Sequence, residues 1–352
     1  HVCPVSCCEW DRYTRRSYRA WGCDPVTKMA EEGVLSMAHS MMSPRNEHPQ
    51  IAADAAQRAA ERADMLLASA RRLGADAAEI HLSQGVGLSV NVRLGEVETL
   101  EFHRSRDLTV VAYLGQRKGV ATSSDDSEAA MASTLQAALA IAREAESDPC
   151  AGLAEADQLA RLVPDLDLYH PWALTPDEAI VQARQCEDIG RAKAGIVNSE
   201  GAGLAASVGL TWYANSQGFS HGYLSSHHQR SCVLIAKDDA GMQRDYWYDS
   251  QCQAGQLASA EDVAEEAARR TVARLGGRKP QTGQYPVMFA PEVARSLLGH
   301  LIGAISGGSL YRKNSFLCDA LGERLFPTWV TIGERPWLPR QTNSGIDATP
   351  LA

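Results

Sequence analysis

The first sustained pattern along the chain is helical. Residues 51–73, IAADAAQRAAERADMLLASARRL, are rich in alanine, place Arg and Glu on a polar side, and stop at Gly74. Strong helix formers closed by a glycine predict a helix. The period then changes to two. Leu88, Val90 and Val92 alternate with Ser89, Asn91 and Arg93. Further apolar runs lie at Val97–Leu100 and Leu108–Ala112, and Gly85, Gly95 and Gly115 punctuate them. Alternation between glycines predicts an antiparallel meander of four or five strands. A second helical stretch, Ser127–Glu146, carries Met131, Leu135, Leu139 and Ala142 on one stripe, with Pro149 just beyond. Helix, meander and helix make a two-layer N-terminal α+β domain over residues 51–160.

Residues 162–179 contain three prolines and read as a linker. A middle α+β domain, residues 161–282, follows. It is expected to hold a helix over Asp177–Lys193 and strands at Gly209–Asn215, Gly218–Ser225, Ser231–Lys237 and Arg244–Tyr248. Ser259 with Asp262 forms a capping box that opens a helix closing at Gly276–Gly277. A short strand near Tyr285 then turns into an apolar helix ending in Gly307–Gly308. The fold class is therefore α+β: helices on an antiparallel sheet, then a β-rich second domain that is truncated, with residues 283–352 expected as the incomplete start of a C-terminal β-rich domain. No internal repeat is visible in the sequence.

The 352 residues suit two or three domains, and 45% hydrophobic with 22% charged residues is ordinary for a soluble globular protein. A net charge of −9 disfavours direct nucleic-acid binding, despite the local Arg312–Lys313 pair. No window approaches the roughly 18 apolar residues that cross a membrane, and the start shows no signal-peptide pattern. Residues 1–50 begin with His1, are rich in Arg, Cys, Trp and Met, and have no period. They read as disordered or as a spurious extension of a chain starting at Met37, Met41 or Met42. Cys3, Cys7, Cys8 and Cys23 form no C-x-x-C pair, and Cys150, Cys186, Cys232, Cys252 and Cys318 read as thiols of a cytoplasmic protein.

No P-loop, dinucleotide fingerprint or G-x-S-x-G elbow is present. His221, His227, His228 and Cys232 lie on neighbouring expected strands, but alternation puts His227 and His228 on opposite faces, and hydrogen-bonded strand histidines are the default over a metal site. His81 and His103 read as solvated strand residues. Asp125–Asp126 fits a helix N-terminus and Asp238–Asp239 a turn. His300 sits on an apolar helix, RSLLGHLIGAISGG, with no second ligand at helical spacing. A lone histidine there reads as a core group with a satisfied N–H. Gly299, Gly303, Gly307 and Gly308 lower helix propensity, which points to close approach of another backbone.

Three stretches, SVNVRLGEVETLEF…GQRKGVATSSD, DPCAGLAEAD…PDLDLYHPWALTPDEAI and FAPEVARSLLGHLIGAISGGSLYRKNSFLCDALGERLFP, together resemble the TldD/PmbA metallopeptidase family, and its PmbA (TldE) branch above the TldD branch. The resemblance implies a cytoplasmic peptidase assembled from a TldD-like and a PmbA-like subunit, acting on peptides or unfolded polypeptides. An older label of the family is modulator of DNA gyrase; with this acidic balance any such effect would be indirect. The TldD branch carries H-E-x-x-x-H on the helix before the Arg-Lys corner. Aligned on Arg312–Lys313, that motif falls on Gly299, His300 and Ala304. The resemblance therefore implies no catalytic residue and no metal ligand in this chain, with zinc held by a TldD-like partner. His300, Gly303, Gly307, Gly308, Arg312 and Lys313 remain as candidates for substrate or partner contact. The alternative is a non-proteolytic, homodimeric binding or regulatory protein. Family members continue past the equivalent of Ala352, so the chain is expected to end inside a domain.

Overall fold

The structure, a computed structural model, describes residues 49–330, 332–333 and 337–339. The expectations for residues 1–48, including the first four cysteines, lie outside the described residues.

Helix α1 (Ala55–Arg72) leads into β1 (Ala77–Arg93), β2 (Glu96–Leu114), β3 (Arg117–Ser123) and α2 (Glu128–Glu144). After the linker come α3 (Pro176–Arg191), β4 (Ile196–Asn215), β5 (Ser220–Asp238), β6 (Gly241–Gln251) and α4 (Ala260–Ala273). Two further helices, α5 (Pro291–Ile305) and α6 (Gly307–Tyr311), follow. Caps fix several starts. Ser127 accepts from the Ala130 N–H, and full capping boxes join Thr175 with Glu178 and Ser259 with Asp262.

The expected meander of four or five short strands is three strands, two of them long. Gly85 does not break β1; it lies mid-strand, and a Cβ there would stand 2.8 Å from the Ser105 hydroxyl. The expected strands Gly218–Ser225 and Ser231–Lys237 are likewise one strand, β5, because the polar residues between them continue the alternation. The short strand expected near Tyr285 is absent: residues 284–290 have no regular structure, and among the described residues beyond 283 there are helices but no strand.

All six strands form one antiparallel sheet in the order β3-β2-β1-β4-β5-β6. The linker thus joins two segments that share a single sheet through the β1–β4 pairing, which runs from Glu79–Asn215 to Val92–Ala202. The order of elements occurs twice, as α1-β1-β2-β3-α2 and α3-β4-β5-β6-α4, and the sheet reads the same from either edge. The sequence shows no such repeat because each copy requires only alternation and small residues, not residue identity.

Helices α1–α4 cover one face. Its core is built on even-numbered positions of β1, β2, β4 and β5, and the register brings odd-numbered positions of β3 and β6, such as Ala121 and Trp247, to the same face. Ile80 and Val110 pack with Leu135 of α2 in one cluster, Leu88, Val90 and Leu204 lie in a second, and Cys232 and Leu234 pack with Val263 of α4 in a third. The opposite face is polar and small-chained along β1 and β4, with Ser83, Gly85, Gly87, Ser89 and Asn91 on β1 opposite Thr211, Gly209, Ser207, Ala205 and Gly203 on β4. Sequence alternation therefore does two things here: it builds a two-layer core and leaves a broad hydrophilic wall.

Candidate functional site

Helix α5 carries the residues singled out in the sequence. Pro291 lies in its first turn, where the missing N–H costs nothing. Side-chain contacts tie the helix to α4 and to β6. Arg270 of α4 pairs with Glu292 at 2.6 Å, and Arg295 donates to the Tyr248 hydroxyl at 3.0 Å. The hydrogen bond to Glu292 raises the Arg270 pKa and outweighs the burial that lowers it.

His300 is exposed, not a core histidine, since α5 buries none of its residues. The glycines do not meet another backbone within the described residues. Nothing lies within 4 Å of a Cβ built on Gly299, Gly303 or Gly307. At Gly308 the nearest atoms belong to the Arg312 guanidinium, 3.4 Å away. Lys313 adopts a left-handed φ of 55° at the corner after α6. The structure therefore places His300, Gly303, Gly307, Gly308, Arg312 and Lys313 on one exposed helix–corner–helix segment, and of these it brings together only Gly308 and Arg312. Val293, Leu297, Leu298, Ile302 and Ile305 of the same segment are about half exposed.

The strand histidines do not converge on a metal site. Among the described residues, no group of three or more His, Cys, Asp and Glu side chains is arranged to hold an ion. His228 is fully buried and its Nε2 bonds the His170 carbonyl at 2.9 Å, while His227 faces Ser250. Burial lowers the pKa of both imidazoles, so both are held neutral. Cys232 is buried against Cys186, and their mutual hydrogen bond raises the Cys232 thiol and lowers that of Cys186. Asp126 bridges Arg62 and Arg106 at 2.9 and 3.0 Å, and Asp238 caps the turn at Ala240–Gly241.

One polar cluster is not legible from the sequence. Glu79 accepts from the Tyr113 hydroxyl at 2.5 Å and the Tyr213 hydroxyl at 3.3 Å, and His81 Nε2 lies 3.5 Å away. Burial pushes Glu79 up, but the hydrogen bonds from His81 and Tyr113 prevail and hold it below the usual carboxylate range. Burial and this same carboxylate raise the Tyr113 phenol. A recess of about 340 Å³ lined by Tyr113, Lys118, Glu146, Asp148 and Cys150 lies beside it. His81 is thus a cluster member, where the sequence leads one to expect a solvated strand residue. Only the strand register, which sets His81 against Tyr213, brings these groups together.

Comparison with known proteins gives three successive matches. Residues 78–142 match the family described as PmbA/TldA metallopeptidase domain 1, residues 169–275 its central domain, and residues 282–346 its C-terminal domain. The chain is 44% identical over 277 residues to the metalloprotease PmbA of Escherichia coli O157:H7, covering 78% of this chain and 61% of that protein. It is 41% identical over 276 residues to the metalloprotease PmbA homolog of Haemophilus influenzae, with the same coverages of 78% and 61%. The chain thus spans about 61% of the length of these curated relatives. A Bacteroides thetaiotaomicron protein described as a candidate modulator of DNA gyrase has the same fold at TM-score 0.72 and 22% identity, covering 80% of this chain and 64% of that one. TldE from Thermococcus kodakarensis shares it at TM-score 0.58 and 16% identity, covering 73% and 58%.

Proposed function

Because this chain belongs to the PmbA/TldD metallopeptidase family, we propose that it is the PmbA-type subunit of a two-subunit metallopeptidase, one that supports peptide-bond cleavage without performing it. A TldD-like partner holds the zinc, and the substrate is an extended peptide or an unfolded polypeptide.

The observation that carries this reading is the donor set of α5. A catalytic zinc takes about three protein ligands and keeps one position for the water it activates, and a carboxylate must then accept that water's proton. Gly299 and Ala304 offer no side-chain donor atom, and His300 is the one imidazole on the helix. The residues present do not fit the ion, so no step of hydrolysis is assigned to this chain. Its contribution is geometric: the exposed segment bearing His300, Gly303, Gly307, Gly308, Arg312 and Lys313 meets the partner or the substrate. The glycines allow close approach of a second backbone, and the half-exposed apolar residues of α5 supply area for burial.

A cytoplasmic setting fits the free thiols at Cys150, Cys186, Cys232 and Cys318 among the described residues. No helix among the described residues is long and apolar enough to cross a membrane. The net charge of −9 argues against direct binding of nucleic acid.

The test is reconstitution. This chain and a TldD-like subunit are purified separately and together, then assayed on an unfolded polypeptide with and without a chelator. Chelator-sensitive cleavage that requires the partner supports the proposal. Chelator-sensitive cleavage by this chain alone refutes it. Self-association with no activity in the mixture favours the homodimeric binding protein instead.

A further inference from the structure

The second copy of the repeat encloses a sulfur pair that the proposed function does not use. Cys186 of α3 and Cys232 of β5 are both fully buried, and they share one cluster with alanines such as Ala202, Ala264 and Ala267. Side chains this small let α3 and α4 lie close on the sheet. Gly190 stands one turn after Cys186 on the same buried face of α3. A Cβ there would come within 3.3 Å of the Cys232 sulfur and 2.9 Å of Leu234. The glycine thus lets the helix backbone settle on β5 beside Cys232, with no side chain of its own between them. The two thiols are hydrogen-bonded to each other. A disulfide needs Cα atoms about 4.4–6.8 Å apart, and a glycine on an alanine-rich layer is how a helix comes that near a strand.

A buried cation adjoins the pair. Arg230 lies two residues before Cys232 on β5, and its guanidinium donates to the Gln182 side-chain oxygen at 2.8 Å and to the Ala258 carbonyl, both neutral groups. Its Nε has no hydrogen-bond partner among the described residues. Burial lowers the Arg230 pKa, while Cys186 and Asp249 nearby raise it. The two sulfurs are not equivalent. The hydrogen bond from Cys232 lowers the Cys186 pKa; burial opposes this, Arg230 supports it and Glu187 opposes it. The same hydrogen bond and burial raise the Cys232 thiol. This asymmetry sorts the pair into an attacking sulfur, Cys186, and a resolving one, Cys232.

We infer that Cys186 and Cys232 form a reversible redox pair: a hydroperoxide closes them into a disulfide that clamps α3 to β5, and a small-molecule thiol opens it. In the first step the Cys186 sulfur attacks one peroxide oxygen, the O–O bond breaks, and the departing hydroxide takes the Cys186 proton and leaves as water. Cys186 is then a sulfenic acid. The Cys232 sulfur attacks it, the S–O bond breaks, and the hydroxide leaves as water with the Cys232 proton. Each sulfur gives up one electron, and the two peroxide oxygens take them. Because both sulfurs are buried, the oxidant must be small, and the reaction waits on local opening of the α3 layer. The inference and the proposed subunit role stand independently of each other.

The test uses the full chain, folded and treated with hydrogen peroxide in slight excess. It is then unfolded in iodoacetamide, and its peptides are mapped by mass spectrometry. The expected product is a peptide pair linked through Cys186 and Cys232 that a reductant separates. The oxidised chain melts at least about 5 °C above the reduced chain, and dithiothreitol abolishes the difference. Recovery of the two cysteines without a link to each other, whether alkylated or overoxidised, overturns the inference. A link that forms only in urea, or one that leaves the melting temperature unchanged, also overturns it. In Cys232→Ala the attacking sulfur has no resolving partner, so dimedone traps a sulfenic acid at Cys186 that the wild-type chain does not accumulate; no adduct at Cys186 in the folded variant counts against the inference. Should that variant fail to fold, the peptide map and melting shift of the wild-type chain decide the question by themselves.

Discussion

Glu187 of α3 accepts hydrogen bonds from the backbone N–H groups of Leu94 and Gly95, at 2.7 and 2.9 Å. It is fully buried, and it joins the second copy of the repeat to the hairpin tip of the first. Leu94 and Gly95 both have positive φ, 53° and 82°, as a two-residue hairpin turn of this kind requires. The carboxylate satisfies both donors of that turn at once. Glu187→Ala leaves them without it, and because Leu94 is half exposed, water replaces part of the loss. The expected destabilisation is about 2–3 kcal/mol, read as a lower urea midpoint at unchanged slope. Faster exchange of the Leu94 and Gly95 amides accompanies it.

Glycines at two places in the chain respond oppositely to alanine. A Cβ on Gly119 of β3 would stand 2.0 Å from the Ala138 carbonyl oxygen of α2, so Gly119→Ala forces helix and strand apart. It costs about 1–3 kcal/mol. Gly299 has open space around it, and Gly299→Ala stabilises the isolated chain by up to about 1 kcal/mol. If α5 is the partner contact, the same substitution weakens association with a TldD-like subunit. Thermal melting of the single chain and co-purification with the partner check the two effects.

The imidazoles of His227 and His228 predict an acid-labile fold. Burial lowers both pKa values in the folded state, so the unfolded chain binds more protons once the pH falls below the ordinary histidine value of 6.5. Their contribution is complete above that pH and is lost as pH falls from about 6.5 toward the depressed folded values. Melting temperature therefore declines across this window, and less steeply in His228→Gln, whose side-chain amide can still donate to the His170 carbonyl. An equal slope in the variant contradicts the assignment.

The described cysteines differ in access. Cys150 is exposed, whereas Cys186, Cys232 and Cys252 are buried. Iodoacetamide is expected to modify Cys150 in the native chain and the buried three only after unfolding. Peptide mass analysis of both samples decides it.

How far the sequence reaches depends on the range of the interaction. The helices are legible because their signals are local: the alanine-rich run of α1, the stripe of Met131, Leu135 and Leu139 in α2, and the Ser259–Asp262 box of α4. Strand existence is legible too, but glycine reads as a strand break at Gly85, where it serves close cross-strand packing. The repeat and the Glu79–Tyr113–Tyr213 cluster depend on register between strands far apart in the chain, which no local pattern carries. The lone imidazole of α5 follows directly from the residues, but its exposure does not, because an apolar helix gives no sign of whether anything covers it.

The most direct test is the zinc content of this chain, purified alone under native conditions and measured by mass spectrometry of the intact protein together with elemental analysis. The account predicts no stoichiometric zinc on the isolated chain and zinc in the sample only when a TldD-like subunit is present. About one zinc per chain in the isolated protein, retained in His300→Ala or lost with it, would contradict it.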